Sequence, residues 1–318
     1  MSKSVVKKCI CLLATCVALL LFMVVCRLIP SFSRFWMNAF ILPVCRSLHR
    51  LSGHLPYPLL EWGMIILAGL FLSTAFVALL RALRSLRLAP IFRLLWHWMW
   101  GILIIGGAYA LLWYPAYWVE PAEAMPSVST EALGWLCESL IDDLNASDLR
   151  FSSPDEITLQ ASAIAGMPNA VIKSARYPEW MKALEIAGLY APWTGEAIID
   201  PSAPPASIPF TAVHELMHLQ GIGDEGKANI AAWELCLSNG GEFAVSAKLW
   251  ALKYAMTALK DADEQAWIQA NRQMKDALKR TFYTMSGDVS ASDNRLLDVL
   301  GLAQAANSYA ALVQYLAN

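Results

Sequence analysis

The chain has 318 residues, 57% of them hydrophobic and only 16% charged, with a mean hydropathy of +0.44 and a formal net charge of −2. That is too apolar for an ordinary water-soluble protein. The charge is also divided: residues 1–114 hold 11 Lys or Arg against one acid, Glu61 (+10), whereas residues 115–318 hold 13 against 25 (−12). So acidic a carboxy-terminal part is repelled by nucleic acid and by anionic lipid, which argues against both as its ligands.

In chain order the first elements are apolar spans. Residues 9–26 form an uncharged run of 18, residues 62–80 one of 19, and residues 94–114 one of 21 interrupted by His97 alone. Each is long enough to cross a hydrocarbon core as a helix, which predicts a membrane domain over residues 1–114. Lys3, Lys7 and Lys8 precede the first run, Arg81, Arg84, Arg87 and Arg93 crowd the link between the second and third, and residues 115–149 carry no Lys or Arg. The positive-inside rule then places the amino terminus in the cytoplasm and the carboxy-terminal domain on the far side of the membrane. No small-x-small cleavage site precedes Arg27, so the first run reads as a retained anchor. Residues 33–57, with Phe35, Trp36 and Trp62 just beyond, suit the membrane interface, where aromatic rings prefer to sit.

Residues 115–126, with three prolines, read as a linker, and residues 127–318 as one extracytoplasmic domain. Apolar periodicity predicts helices over 130–144, 177–187, 209–220, 224–238, 243–260, 264–284 and 294–316. Strand-like sequence is scarce, the best stretches being 170–172 and 197–199. Of seven cysteines only Cys137 and Cys236 fall in this domain; an oxidising compartment would permit a disulfide between them.

Chemistry concentrates in His214-Glu215-Leu216-Met217-His218. Two histidines four residues apart on a helix share a face and reach one metal ion, and the glutamate between them can take a proton from water. Pro209 suits the first helical turn, Ser207 is a possible cap, and Gly221 suits a left-handed stop. A hydrolytic zinc site needs a third ligand and an open position. Glu225 and Asp224 compete for that place. Glu225 lies one turn from Asn229, whose amide could hydrogen-bond a metal-bound histidine. Asp224 completes a His-Glu-x-x-His-x-x-Gly-x-x-Asp spacing, although aspartate after a glycine turn is also a common helix cap. Met285 could be read as a turn methionine beneath the site, but a lone methionine is more often core packing. The whole matches a mainly α protein: three amino-terminal transmembrane helices, then a zincin-like, mostly helical α+β metallopeptidase domain with a short sheet. Thr194, Gly195 and Glu196 would begin the edge strand that an extended substrate joins. Tyr190 and Trp193 would wall a pocket or pack the core.

The stretches from Gly188 through Trp193 to Glu196, from Pro209 to Gly221, and Glu225-x-x-Ala228-Asn229 resemble the bacterial "domain of unknown function 3810" family. The resemblance extends from the apolar amino-terminal third to Ser308-Tyr309-Ala310. It implies a membrane-anchored zinc metallopeptidase of gluzincin character, with His214, His218 and Glu225 as ligands and Glu215 as base. One departure is Lys227, where the family tends to carry a second acid.

The function expected is hydrolysis of a peptide or protein substrate with one Zn2+ per chain, Glu215 serving as general base. No further histidine lies in the outer domain to bind an oxyanion, so Tyr309, then Tyr283, is the expected donor. The alternative is a catalytically inactive metal-binding receptor or scaffold, which has no need of the base. The lipid bilayer is the one partner that composition demands; nothing in the sequence speaks to oligomeric state.

Overall fold

A computed structural model describes residues 3–120, 127–184, 186–286 and 304–317. Three helices are long and apolar enough to cross a membrane: α1 (Lys3–Leu28), α4 (Leu59–Ser85) and α5 (Ala89–Leu112). Their side chains point outward, with Ile10, Leu20, Leu72, Ile102 and Ile104 each 60% exposed or more. Helices without an amphipathic stripe that bury little against protein are built for an apolar surround.

The connection between the first two spans departs from the expected surface segment. It folds into α2 (Pro30–Trp36), a π-helical turn (Met37–Ile41) and α3 (Leu42–Ser52), and one face of it enters the core. Met37, Ile41 and Cys45 are buried in the same cluster as Leu140, Ile199, Leu216 and Leu252. Trp113 and Ala116, just past the third span, join them. The outer core is thus completed by residues from before α4, on the membrane side of the linker expected over residues 115–126.

Beyond the membrane segments follow α6 (Thr130–Asn145), α7 (Pro154–Ile164), β1 (Ile172–Ser174), the short α8 (Glu179–Ala183), β2 (Gly188–Ala191), β3 (Glu196–Ile199), α9 (Ile208–Leu219), α10 (Glu225–Asn239), α11 (Gly241–Ala262), α12 (Glu264–Gln273), α13 (Asp276–Ser286) and α14 (Gln304–Ala317). Most predicted helices recur within two residues. The helix expected over 264–284 is broken at Met274, and that over 177–187 shrinks to α8, which ends at Ala183 ahead of β2. Residues 294–303 of the last predicted helix lie outside the described residues. Helix α7 was missed, although Ser153 and Glu156 form a complete capping box at its start. Cys137 and Cys236 are free, buried thiols on α6 and α10, and burial pushes each up to about 12.

The sheet has the order β1-β3-β2, with β1 parallel and β2 antiparallel to β3. The strand opened by Glu196 is thus central, not the edge that was expected. Its backbone is occupied on both sides, and the outer strand facing α9 is β2. Glu196 is not a substrate contact either: it is 1% exposed, accepts from Lys173 Nζ at 2.6 Å, and accepts from the Leu59 and Leu60 amides at 2.8 and 3.0 Å. A carboxylate at the first turn of α4 satisfies orphan amides and complements the helix dipole. Lys173 Nζ also donates to the Ser52 and Tyr57 carbonyls, which satisfies the buried ammonium. Nearby Glu61 accepts from the Arg176 and Tyr177 amides and Trp180 Nε1. The second span is therefore fastened to the sheet by buried charge. Gly195 lies against α3, its carbonyl 2.7 Å from His49 Nδ1.

Candidate metal centre

Helix α9 carries the His-Glu-x-x-His pentapeptide, and every one of its residues is buried. Ser207 does not cap it; its hydroxyl donates to the Pro204 carbonyl instead. The first turn is satisfied from α11, where Ser246 Oγ accepts from the Phe210 amide and donates to the Ala206 carbonyl. The helix ends at Leu219, followed by Gly221 at φ +103°, the left-handed stop expected there.

The loop after Gly221 turns α10 back so that its first residue faces the two histidines. Glu225 Oε2 lies 3.1 Å from His214 Nε2 and Oε1 lies 3.4 Å from His218 Nε2, while the two Nε2 atoms are 3.0 Å apart. One donor atom from each of the three residues falls within 4.8 Å of the others, the spacing of a cluster that can hold one metal ion. His218 Nδ1 donates to the Ile222 carbonyl at 2.7 Å, which fixes the ring and turns Nε2 inward.

Electrostatics follow from this crowding. Burial works against the charge on Glu225, but His218 and His214 outweigh it and hold the carboxyl well below the usual range. Burial likewise opposes the His218 imidazolium, yet Glu225 foremost, with Glu215 and the Ile222 carbonyl, raises it to about 9. Three donors that gather a proton among themselves are set to exchange it for a cation.

Glu215, 4% exposed, points from the same helix, and its Oε2 has no hydrogen-bond partner. Burial pushes it up to about 7; His214 and His218 pull the other way and Glu225 adds to the rise. Its Oε1 lies against Gly188 of β2, where a Cβ would stand 2.5 Å from Oε1 and 2.5 Å from Thr211 Cγ2. Only glycine lets the strand approach the carboxylate so closely.

The remaining expected site residues divide. Asp224 is the N-cap of α10 and accepts from the Lys227 amide at 2.9 Å, so its carboxylate is committed away from the cluster. Asn229 makes no hydrogen bond to either histidine: both its side-chain atoms, and His214 Nδ1, are buried without a partner. Lys227 pairs with Glu120. Tyr283 accepts from Asn271 and Met285 packs in the core, so neither reaches the cluster. The side chain of Tyr309 lies outside the described residues.

Sequence reasoning missed the wall contributed by the third span. The Trp113 ring lies 6.2 Å from that of His218 and 4.9 Å from that of Tyr190, and Tyr190 is 6.5 Å from His218. Tyr109 donates to Tyr117 at 3.3 Å, and both phenols lie within electrostatic reach of Glu225. Tyr109 and Trp113 read in sequence only as part of an apolar span, and no local pattern pairs them with residues a hundred positions away.

Fold and site together define a mainly helical protein with three helices fit to cross a membrane and a largely buried cluster of His214, His218 and Glu225 where the third meets the outer core. The family model described as "Protein of unknown function (DUF3810)" matches residues 36–303, and the chain belongs to that family. Neither the curated proteins nor the solved structures return a match.

Proposed function

We propose that the protein is a membrane-anchored, zinc-dependent peptidase of zincin type, with its domain on the outer face of a bacterial inner membrane and its amino terminus in the cytoplasm. The observation that carries the proposal is the convergence of His214, His218 and Glu225 beside a buried Glu215 carboxylate with a free oxygen. Two imidazoles and one carboxylate are the donor set of hydrolytic zinc sites, which keep a further position open. The orphaned His214 Nδ1 and Asn229 amide suit a centre whose neighbours settle when the cation is in place. When bound, zinc supplies Lewis acidity, making water nucleophilic near neutral pH and polarising a carbonyl.

The chain's own residues do the rest. Glu215 takes a proton from the attacking water as its oxygen adds to the scissile carbonyl carbon. It returns that proton to the departing nitrogen as the C–N bond breaks, so water is divided between the two products. A carboxyl held near neutrality is suited to both transfers. Among the described residues Tyr109 and Tyr117 are phenols within electrostatic reach of Glu225, and Tyr117 is the donor we propose for the developing oxyanion.

The test is metal content and peptide hydrolysis of the full chain beside three variants. About one zinc per chain is expected in wild type, in Asp224→Ala and in Glu215→Gln, with loss in Glu225→Ala. Glu215→Gln should lower kcat by about 10²-fold or more, the usual worth of a general base. Zinc bound without hydrolysis by wild type would leave a metal-binding scaffold, and a folded chain that takes up no zinc would end both readings.

A further inference from the structure

The position of the cluster relative to the apolar spans carries a conclusion about substrate. Arg81, Arg84, Arg87 and Arg93 flank the turn between α4 and α5, so one edge of the apolar slab falls near Arg93. A helix rising about 1.5 Å per residue crosses a core of about 30 Å in about 20 residues. Counted from Arg93, the opposite edge falls at about residue 113. Trp113, Tyr114, Tyr117 and Trp118 stand there, the residue types that favour a membrane interface. The first of them also meets the cluster, and the turn that follows it packs against the loop leading to Glu225. Trp113 borders His218, and a Cβ on Gly223, in the loop that delivers Glu225, would stand 2.5 Å from Ala116.

The α2–α3 connection supports the same placement independently. Its inner face (Ser33, Met37, Ile41, Cys45, His49 and Ser52) is buried in protein. Its outer face is apolar and exposed: Phe35 is 59% exposed, Phe40 47%, Val44 43% and Leu51 70%. That face continues the apolar surface of the spans, since Trp36 packs on Phe22 of α1 at 5.0 Å and donates to the Leu111 carbonyl of α5. Arg34, Arg46 and Arg50 are exposed along it, where an amphipathic segment lying in a bilayer surface meets phosphates. The occupant of this face is the lipid bilayer.

We infer that the His214–His218–Glu225 centre works at the bilayer surface on polypeptides anchored in the same membrane, cutting them close to where they leave the lipid. This rests on the peptidase reading above. Two physical reasons select such a substrate. Confinement to the same membrane raises the effective concentration of an anchored chain. An extended chain spans at most about 3.5 Å per residue, so a centre one or two helical turns above the lipid is reached within about ten residues of the anchor.

The experiment uses the full chain in lipid nanodiscs and has two arms. In the first, a nitroxide is placed at Phe40→Cys or Leu51→Cys, with Cys9 and Cys11 replaced by alanine and Asp142→Cys on α6 as the control. Both test labels should relax with oxygen and be shielded from a water-soluble nickel chelate that reaches Asp142. Labels as open to nickel as the control would overturn the inference, whatever the catalytic result. In the second arm the zinc-loaded chain meets a pool of random octapeptides, either free or set 5, 15 or 40 residues from a single-span anchor. Cleavage at the five-residue spacing should exceed that of the free pool at least tenfold. Equal cleavage at every spacing would overturn the inference and leave the peptidase standing; no cleavage of any pool by zinc-loaded protein would remove both.

Discussion

Glu215 and Gly188 show how a single atom positions chemistry. The carboxylate meets β2 only because residue 188 has no side chain. Gly188→Ala should displace Glu215 while leaving the three donors in place, so zinc content should hold while kcat falls about 10²-fold, the cost of a misplacement near 1 Å. Unchanged turnover in that variant would show that the contact does not matter. A second expectation concerns protons. With His218 raised to about 9, the metal-free cluster holds a proton at pH 7 that a cation must displace. Apparent zinc affinity should therefore rise with pH, by about tenfold per unit for one proton, and level off near pH 9. Competition against a chelator at pH 6, 7 and 8 measures the slope, and a flat profile would contradict the assignment. Asp224 and Glu225 illustrate what a residue-level reading leaves open. Both are acids at the start of one helix, and only the direction of the loop after Gly221 makes one the cap and the other the cluster member.

Among elements, the sheet and the second span are joined by buried charge. Lys173 and Glu196 have side chains 3% and 0% exposed, and Glu196 also holds the first two amides of α4. Replacing one partner leaves the other charged and buried, which typically costs about 3–5 kcal/mol. Lys173→Met should lower thermal stability by that amount in detergent, read as loss of helical signal at a lower temperature. A shift within error would mean that water enters and screens Glu196. Legibility differed sharply between elements. Helix α9 was readable to within a residue because its proline, its apolar run and its terminal glycine are adjacent in sequence. Strand β2 was not, because four residues with partial burial carry no distinctive period and gain their extended form from pairing with β3.

For the whole molecule, the outer domain does not stand apart from its anchor. Met37, Ile41 and Cys45 fill the core, His49 accepts from the Val171 amide, and Glu61 holds the loop before α8. A piece consisting of residues 119–318 should therefore be insoluble or lack a cooperative unfolding transition, whereas the full chain in detergent unfolds cooperatively. A well-folded, zinc-binding 119–318 fragment would show that the amino-terminal contacts are dispensable.

What the amino-acid sequence determined by itself were the three apolar spans and the His-Glu-x-x-His pentapeptide. Both are local properties: hydrocarbon thickness translates into a run length, and a shared helix face into a four-residue spacing. The tertiary structure alone decided that Glu225 rather than Asp224 faces the histidines, that β3 is central and Glu196 a structural carboxylate, and that α2, α3 and the end of α5 complete the core and wall the site. Those outcomes depend on strand pairing, on contacts between residues far apart in the chain, or on the direction of a single turn. Such contacts are set by packing and by the satisfaction of buried charge, and they leave no periodic trace along the chain.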